Sequence, residues 1–566
     1  MLVAIFIIGS LTIFSFDTSQ LNKNEQNIVP KKWRNVGSKG VVEKNLEENE
    51  KFDEIKITPS TYTRPPPPPP SQPQHVPKTS EVSRPTSQQK VEVNPLNRID
   101  IVYKANERLN QERAYAVRGA MKYAWDSYSR YTWGLDELRP ISRSTNEWFG
   151  LGLTIVDSLD TLYLLNLDEE YREAKKFVRN LDLSKETQFY PSVFETSIRF
   201  LGGFISTYHL TNDQLFLTKA EEMGKILLGA FEKDEVFPFQ TYNFHTKKGH
   251  FASWTGGCVI LSEVGTMFIE FEELSKLTNN PIWKTKADKI LDTINNLKTE
   301  IPGLFPVYID SKGESFCNNH ISLGALGDSY YEYLLKMWLY SDKKHERYRT
   351  LFVKSANAII DKMYKETKLG YGYIPNLINN HLTLTQEHLT CFTGGMFALA
   401  AATNISHDDA ISKKYMKVAE KVTETCAKSY FATPSGLGPE VAAFDRETGE
   451  IIFNGSNQSV PGYFLRPEAV ESIFILYRLT GDVKYQEWAW KIFEAIEKHC
   501  KTEGGYAGLK SVSIPDLKDD LQQSFFMAET LKYIYLLFVD SSVVPLDKYV
   551  FNTEAHPILI NKNYKY

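Results

Sequence analysis

Residues 550–557, Val-Phe-Asn-Thr-Glu-Ala-His-Pro, gather a hydroxyl, a carboxylate, an imidazole and a helix-stopping proline into one short segment. Oxygen donors of this kind, on a segment able to reach back into a site, suit a hard cation such as Ca2+. Taken alone, the same residues also fit a polar tail with a Thr-Glu cap. Acids embedded in apolar sequence upstream weigh against the tail. Glu195 lies in SVFETSIRFLGG with Arg199 one turn on, and Asp328 lies in LGDSYYEYLL. Glu468 and Glu471 share one helical face in FLRPEAVESIFIL, just after Arg466. Glu529 sits in SFFMAETLKYIYLLF and Glu263 in the apolar stretch that begins near Val259. Singly, each is a paired structural ion or a cap. Together they are costly unless a cation, arginines or a substrate offsets them. A ring of acids around a cavity is what glycoside hydrolysis needs: a proton donor and a base beside an oxocarbenium-like transition state.

Holding those acids in a ring requires repeated elements, and the sequence repeats. From about residue 99 the periodicity is helical almost throughout, with few strand runs. A polar turn, an aromatic, a Lys- or Ala-bearing amphipathic helix and a glycine or aromatic–proline turn recur over residues 211–238, 278–306, 341–373, 406–439 and 480–506. Successive turns fall roughly 65–70 residues apart, enough for one helical hairpin each. Apolar stretches at 257–273, 323–339 and 522–539 are expected as inner helices, with the Lys-rich helices outside them. About seven pairs fit. Without polar capping repeats at either end, a closed all-α (α/α) toroid is favoured over an open array.

The chain has 566 residues, 42% of them hydrophobic and 13% aromatic, enough for a large core and for sugar-stacking faces. A net charge of −5 with mixed signs excludes a nucleic-acid footprint. Residues 1–16 form a nearly unbroken apolar run, short for a membrane span and without a preceding Lys or Arg. Either a cleaved signal or a signal anchor would send the remainder into the secretory lumen. Residues 17–98, with Pro65 to Pro70, read as a solvated, partly polyproline-II stalk before a head at 99–566.

Seven segments carry a resemblance to glycoside hydrolase family 47, the class I processing α-1,2-mannosidases. They are TIVDSLDTLY (154–163), FETSIRFLGG (194–203), LGDSYYEYLLK (326–336), HLTCFTGGMFAL (388–399), YFLRPEAVES (463–472), QQSFFMAETLKY (522–533) and FNTEAHP (551–557). The resemblance runs from about Ala120 to Pro557 and implies an (α/α)7 barrel with a Ca2+ at its floor. It implies an inverting enzyme that removes terminal α-1,2-linked mannose from high-mannose N-glycans, as a monomeric catalytic domain. By the same resemblance Glu195, Asp328 and Glu468 are the catalytic acids. Glu468 matches the base, and Glu195 acting through a water and Asp328 acting directly both stand as the acid. Thr553 matches the Ca2+ ligand, through hydroxyl and carbonyl. Glu263, Glu468, Glu471, Glu529 and Glu554 match acids that hydrogen-bond to waters of the cation's shell, and Glu529 and Glu554 also count with the sugar-binding set. Arg199, Arg466, His388 and Phe525 match substrate contacts, with Phe525 stacking on the mannose ring. Cys391 and Cys426 match a disulfide.

Leu326 stands where reticulum-type members usually carry Arg, and Gln522-Gln523-Ser524-Phe525 stands where they tend to have Met-Glu-Ser-Phe. With residues 388–392, these imply the Golgi-type branch, which trims nine-mannose glycans toward five. The implied layout is a type II Golgi membrane protein with a lumenal head; a reticulum or secreted protein is the alternative. Relatives that recognise trimmed glycans in quality control with weak hydrolysis share the barrel and most of the acids. They supply a second reading, a glycan-recognition factor. Cys258, Cys317 and Cys500 are expected as free, packed thiols; no C-x-x-C spacing supports zinc. Asn404, Asn454 and Asn457 begin N-x-S triplets.

Overall fold

A computed structural model describes residues 95–564, apart from 233 and 234. The apolar segment 1–16 and all but the end of the stalk lie outside the described residues. After a leading helix, Pro95–Ala105, fourteen helices pair as hairpins. The outer α1 (Glu107–Thr132) pairs with the last inner helix, α14 (Leu531–Leu536). Between them run inner–outer pairs in chain order. These are α2 (Leu159–Leu164) with α3 (Asp168–Asn180), α4 (Gly202–Thr211) with α5 (Gln214–Gly229), and α6 (Phe268–Thr278) with α7 (Ile282–Asn296). Then come α8 (Asp328–Tyr340) with α9 (Glu346–Lys362), α10 (Phe392–Ala402) with α11 (Asp409–Phe431), and α12 (Glu468–Thr480) with α13 (Val483–His499). Each inner helix packs on the next. The turn leading into α14 returns to α2, so the ring of seven closes.

The turns explain the repeat seen in the sequence. In Thr211-Asn212-Asp213 and Thr480-Gly481-Asp482 the threonine hydroxyl bonds back to the carbonyl four residues earlier. The middle residue then turns left-handed, at φ 56° in Asn212 and 64° in Gly481. The aspartate accepts the N–H two residues on and so caps the outer helix. Inner helices are buried nearly all round, with Tyr330, Tyr331, Tyr333 and Trp338 all on α8. Each such side chain contributes roughly 1.5–3 kcal/mol on burial.

The apolar run 257–273 is not one inner helix. In 257–273 the chain forms strand β1 (Val259–Ile260) and a single turn, Leu261–Val264, before α6. The turn ends at Gly265, where a Cβ would meet Tyr330 at 2.5 Å, so only glycine fits. Strand β1 pairs antiparallel with β2 (Tyr308–Ile309), and this corrects the cysteine reading. Cys258 and Cys317, expected as free thiols, form a disulfide with Cα atoms 6.7 Å apart. The β1–β2 register and the N–H of Cys317 on the Tyr308 carbonyl bring them together across 59 residues. Cys391–Cys426 is also bonded, and Cys500 is a buried free thiol. Other short strands build the rim, among them β3 (Thr385–Glu387), β4 (Val441–Phe444) and β5 (Ile451–Ile452) in one small sheet. Runs of two to four residues carry no readable alternation, which is why the sequence showed few strands.

The last hairpin, β6 (Tyr549–Phe551) and β7 (Pro557–Leu559), enters the barrel from the end where the inner helices finish. Leu559 donates to His209 at the end of α4, and Asn561 to the Tyr340 carbonyl at the end of α8. Its tip, residues 552–556, reaches inward to Ile198, Glu270 and Glu332. A Cβ on Gly202 would meet the Asn552 amide at 2.5 Å, so the Gly-Gly pair at the start of α4 is what admits the tip.

Candidate active site

The acids arise where inner helices begin. Asp328 and Glu468 are the first residues of α8 and α12. Glu195 directly precedes, and Arg199 lies within, a π-helical turn, Thr196–Leu201, ahead of α4, and Glu529 lies in a second one, Phe526–Thr530, ahead of α14. Such turns widen the helix by one residue and recur at functional sites. Because the inner helices run in one direction, their starts converge on one end of the barrel. Leu326 and Leu465 hold positive φ, 76° and 64°, just before Asp328 and Glu468, a strained backbone that sets where each helix starts.

One cavity collects them. Its walls carry Glu195, Arg199, Glu263, Asp328, Arg466 and Glu468. Deeper, Glu471, Phe525, Glu529, Thr553 and Glu554 line the same space. His388 is not among the lining residues: it is buried behind Glu468, between that carboxylate and Tyr430. Sequence reasoning passed over Glu332, which also lines the cavity and accepts the Thr553 hydroxyl at 2.8 Å. Its signal was legible, since Asp328, Glu332 and Lys336 follow one another at i+4 along α8. Asp157 and Asp160, within the TIVDSLDTLY segment, were likewise not weighed.

The charges fall into three groups. Arg199 is a buried hub: Nε donates to Glu195 at 2.7 Å, and Nη1 to Asp157 at 3.0 Å, to Ser524 at 2.9 Å and to Glu554. Burial opposes its charge, but Glu554, Glu195 and Asp157 outweigh that and hold its pKa well above the ordinary value. Beneath it, the fully buried His556 bridges Asp160 at 2.8 Å and Asp157 at 3.3 Å, and Lys532 pairs with Asp160 at 2.9 Å. Arg466 pairs with Glu440 at 2.7 Å. Both arginines stand over the Phe525 ring, at 5.8 and 6.0 Å from its centre, so the ring is held between two cations.

The two helix-starting acids are displaced in opposite directions. Burial alone would raise Glu468, but the His388 hydrogen bond at 2.7 Å and the charge of Arg466 outweigh it and hold the carboxyl below its ordinary value. An ionised carboxylate only accepts, so Nδ1 of His388 carries the proton in that bond. Among the described residues Asp328 has no cationic partner. Burial pushes it up to about 7, with the Glu332 charge adding and the Ser329 hydrogen bonds opposing.

The floor is short of positive charge. Burial pushes Glu263 up to about 7 and Glu471 up to about 8, the latter in spite of Lys336. Burial, and then the charges of Glu468 and Glu471, hold Glu529 well above the ordinary range. Burial does the same to Glu554 in spite of Arg199. A hard cation would relieve all four. Among the described residues no cluster of three or more His, Cys, Asp or Glu is placed to grip a metal directly. A hard cation on this floor would meet the oxygens of Thr553 and, through waters, the surrounding carboxylates, an all-oxygen set.

The family model of glycosyl hydrolase family 47 matches residues 120–560, most of the chain. The chain belongs to glycosyl hydrolase family 47. Within that family it is 42% identical over 457 residues to mannosyl-oligosaccharide alpha-1,2-mannosidase IA of Drosophila melanogaster, covering 80% of this chain and 68% of that one. It is 40% identical over 465 residues to mannosyl-oligosaccharide 1,2-alpha-mannosidase IA of Sus scrofa, covering 80% and 69%. The chain thus spans about two thirds of the length of these curated relatives. Among solved structures, the alpha-1,2-mannosidase from Trichoderma reesei superposes with a TM-score of 0.73 at 29% identity, over 80% of this chain and 99% of that one. The (α/α) barrel of this family 47 glycoside hydrolase is the one its motifs implied.

Proposed function

We propose that this family 47 enzyme removes terminal α-1,2-linked mannose from high-mannose N-glycans by calcium-dependent inversion. The observation that carries the catalytic assignment is the opposite displacement of two acids in one cavity, Glu468 downward and Asp328 up to about 7. Titratable groups driven apart in this way divide into base and acid. Glu468 stays ionised and takes a proton from water as that water attacks the anomeric carbon. Asp328, protonated near neutral pH, gives its proton to the departing glycosidic oxygen as the C1–O bond breaks. Solvent then returns Asp328 to its acid form and Glu468 to its base form. The geometry favours Asp328 over Glu195 as the acid, because Glu195 is engaged by Arg199 at 2.7 Å. Inversion requires the two carboxyls to stand ~6.5–9.5 Å apart, leaving room for the water.

Arg199 and Arg466 orient sugar hydroxyls from either side of Phe525, on which the mannose ring stacks. His388 acts through Glu468, holding it ionised and aimed. Thr553 would hold Ca2+, which when bound would supply positive charge and coordination for sugar hydroxyls and water at the floor. Leu326 and Gln523 support the Golgi-type branch and trimming from nine mannoses toward five, in a lumenal head of the secretory pathway. The anchor expected at 1–16 belongs to this proposal; no described helix is long and apolar enough to cross a membrane.

The test is incubation of the purified protein with nine-mannose glycan and Ca2+, followed by mass and by NMR of the released sugar. Stepwise loss of hexose ending near five, with β-mannose appearing first, is expected. Glu468→Gln abolishes release while glycan binding persists. α-Mannose as the first product would refute inversion, and release by Glu468→Gln at the parent rate would remove the assigned base. Binding without release by the parent protein would favour the glycan-recognition reading.

A further inference from the structure

Beneath the cavity floor lies a cation that the reaction does not use. Lys336, on α8, is 4% exposed. Its Nζ donates to Glu332, lies 3.7 Å from Glu471 and donates to the Asn552 carbonyl at 3.3 Å. Glu332 in turn accepts the Thr553 hydroxyl through its other oxygen, at 2.8 Å. One ammonium is thus linked through a single carboxylate to the residue that would hold the cation. It also touches the peptide carbonyl directly before that residue. A long, strongly hydrated ammonium is rarely buried without such partners. Here the partners are floor acids of α8 and α12 and one backbone carbonyl of the hairpin tip.

We propose that Lys336 is a resident counter-ion of the floor. It neutralises Glu332 and Glu471 when no cation is bound, and by like-charge repulsion it keeps the floor from holding a divalent cation too tightly. The inference rests on the reading of Thr553 as a calcium ligand. Two uncompensated buried carboxylates would destabilise the empty barrel, because breaking a buried pair by removing one partner leaves the other charge exposed to a low dielectric. With a cation in place the same acids have a second source of positive charge, so the lysine is needed less. A scaffold lysine that merely fixed the Asn552 carbonyl would behave oppositely, weakening cation binding when removed.

The experiment compares Lys336→Met, Lys336→Arg and the parent protein by thermal unfolding, in excess chelator and in excess Ca2+, with Ca2+ affinity measured by calorimetry. Lys336→Met should melt well below the parent in chelator, recover most of that deficit in Ca2+, and bind Ca2+ on the order of tenfold tighter. Lys336→Arg, which keeps the charge, should stay near the parent in both conditions. If Lys336→Met does not fold in either condition, Lys336→Met/Glu471→Gln decides: removing both charges should restore folding in chelator. A Lys336→Met deficit equal with and without Ca2+, weaker Ca2+ binding, or a double variant no better than the single would each overturn the proposal. A parent protein whose melting and calorimetry show no response to Ca2+ at all would instead sink the Thr553 reading beneath it.

Discussion

Replacing His388 by Phe tests how the structure keeps the proposed base ionised. The ring is roughly conserved in volume, but the Nδ1–H that reaches Glu468 at 2.7 Å is lost, and the Tyr430 hydroxyl loses its partner at 2.6 Å. A hydrogen bond to a charged group contributes about 1.5–3 kcal/mol. At 1.36 kcal/mol per pKa unit, its loss raises Glu468 by ~1–2 units, with burial still acting upward and Arg466 and a backbone hydrogen bond opposing. The acid limb of kcat/KM on an α-1,2-linked mannose disaccharide should move up by the same ~1–2 pH units. Released mannose measured from pH 4 to 8 at saturating Ca2+ reads the limb. His388→Gln, which retains an amide donor, should restore part of the shift. The same bond bears on stability. Folding lowers the Glu468 pKa, so its ionisation stabilises the fold above the ordinary value of 4.5, and that contribution is lost as pH falls through the folded value. In His388→Phe the contribution is already missing at neutral pH. A fall in rate of equal size at every pH would refute this account, because it would mean that the imidazole positions something without setting the protonation of Glu468.

Other perturbations give equally direct readings. Chelation should lower thermal stability and restoring Ca2+ should recover it, by ~2.7 kcal/mol at a hundredfold excess over Kd; a melting curve indifferent to chelator would count against a site at Thr553. Removing the Cys258–Cys317 bridge by paired Ser substitution should cost up to about 4 kcal/mol from loop-closure entropy over 59 residues, read by denaturant unfolding, and an unchanged midpoint would contradict the bridge. Arg199→Met strips partners from Glu195, Asp157 and Glu554 at once and should destabilise by at least about 3–5 kcal/mol, with part of the loss recovered at acidic pH as the stranded carboxyls protonate. A loss independent of pH would assign the effect to packing.

Much of this was legible because local chemistry and global fold agree. Thr-Asn-Asp and Thr-Gly-Asp say where inner helices stop and outer ones start, and the acids stand out against apolar flanks because charge there is costly. What stayed hidden depends on register or on what lies behind a residue. Cys258 and Cys317 give no sign of pairing until β1 and β2 are aligned. The need for glycine at 265 follows from the Tyr330 ring, which belongs to another hairpin. His388 reads from sequence as a pocket residue, whereas its ring lies behind Glu468 against Tyr430, a position fixed by packing among α11, β3 and α12. Lys336 gives no sign of burial in the sequence, because a lysine in an apolar helix can reach outward, and only the closed ring encloses it.

The closed ring also explains why the floor is built from the last residues of the chain. Inner helices running in one direction bring their N-terminal partial charges, and the acids that suit them, to the cleft end. Their other ends leave an axial opening, and no ring helix can reach back from there to hold what the acids surround. The C-terminal hairpin fills that opening and sends a tip up the axis. Two cations then grip the tip from different walls, Arg199 through Glu554 and Lys336 through the Asn552 carbonyl. Thr553 stands between those two attachments, so its position is set by charges that also bind Glu195 on one side and Glu332 and Glu471 on the other. Occupancy of the floor and the placement of the catalytic wall are therefore linked: whatever loosens the tip also takes one of the carboxylates from the partner of Glu195.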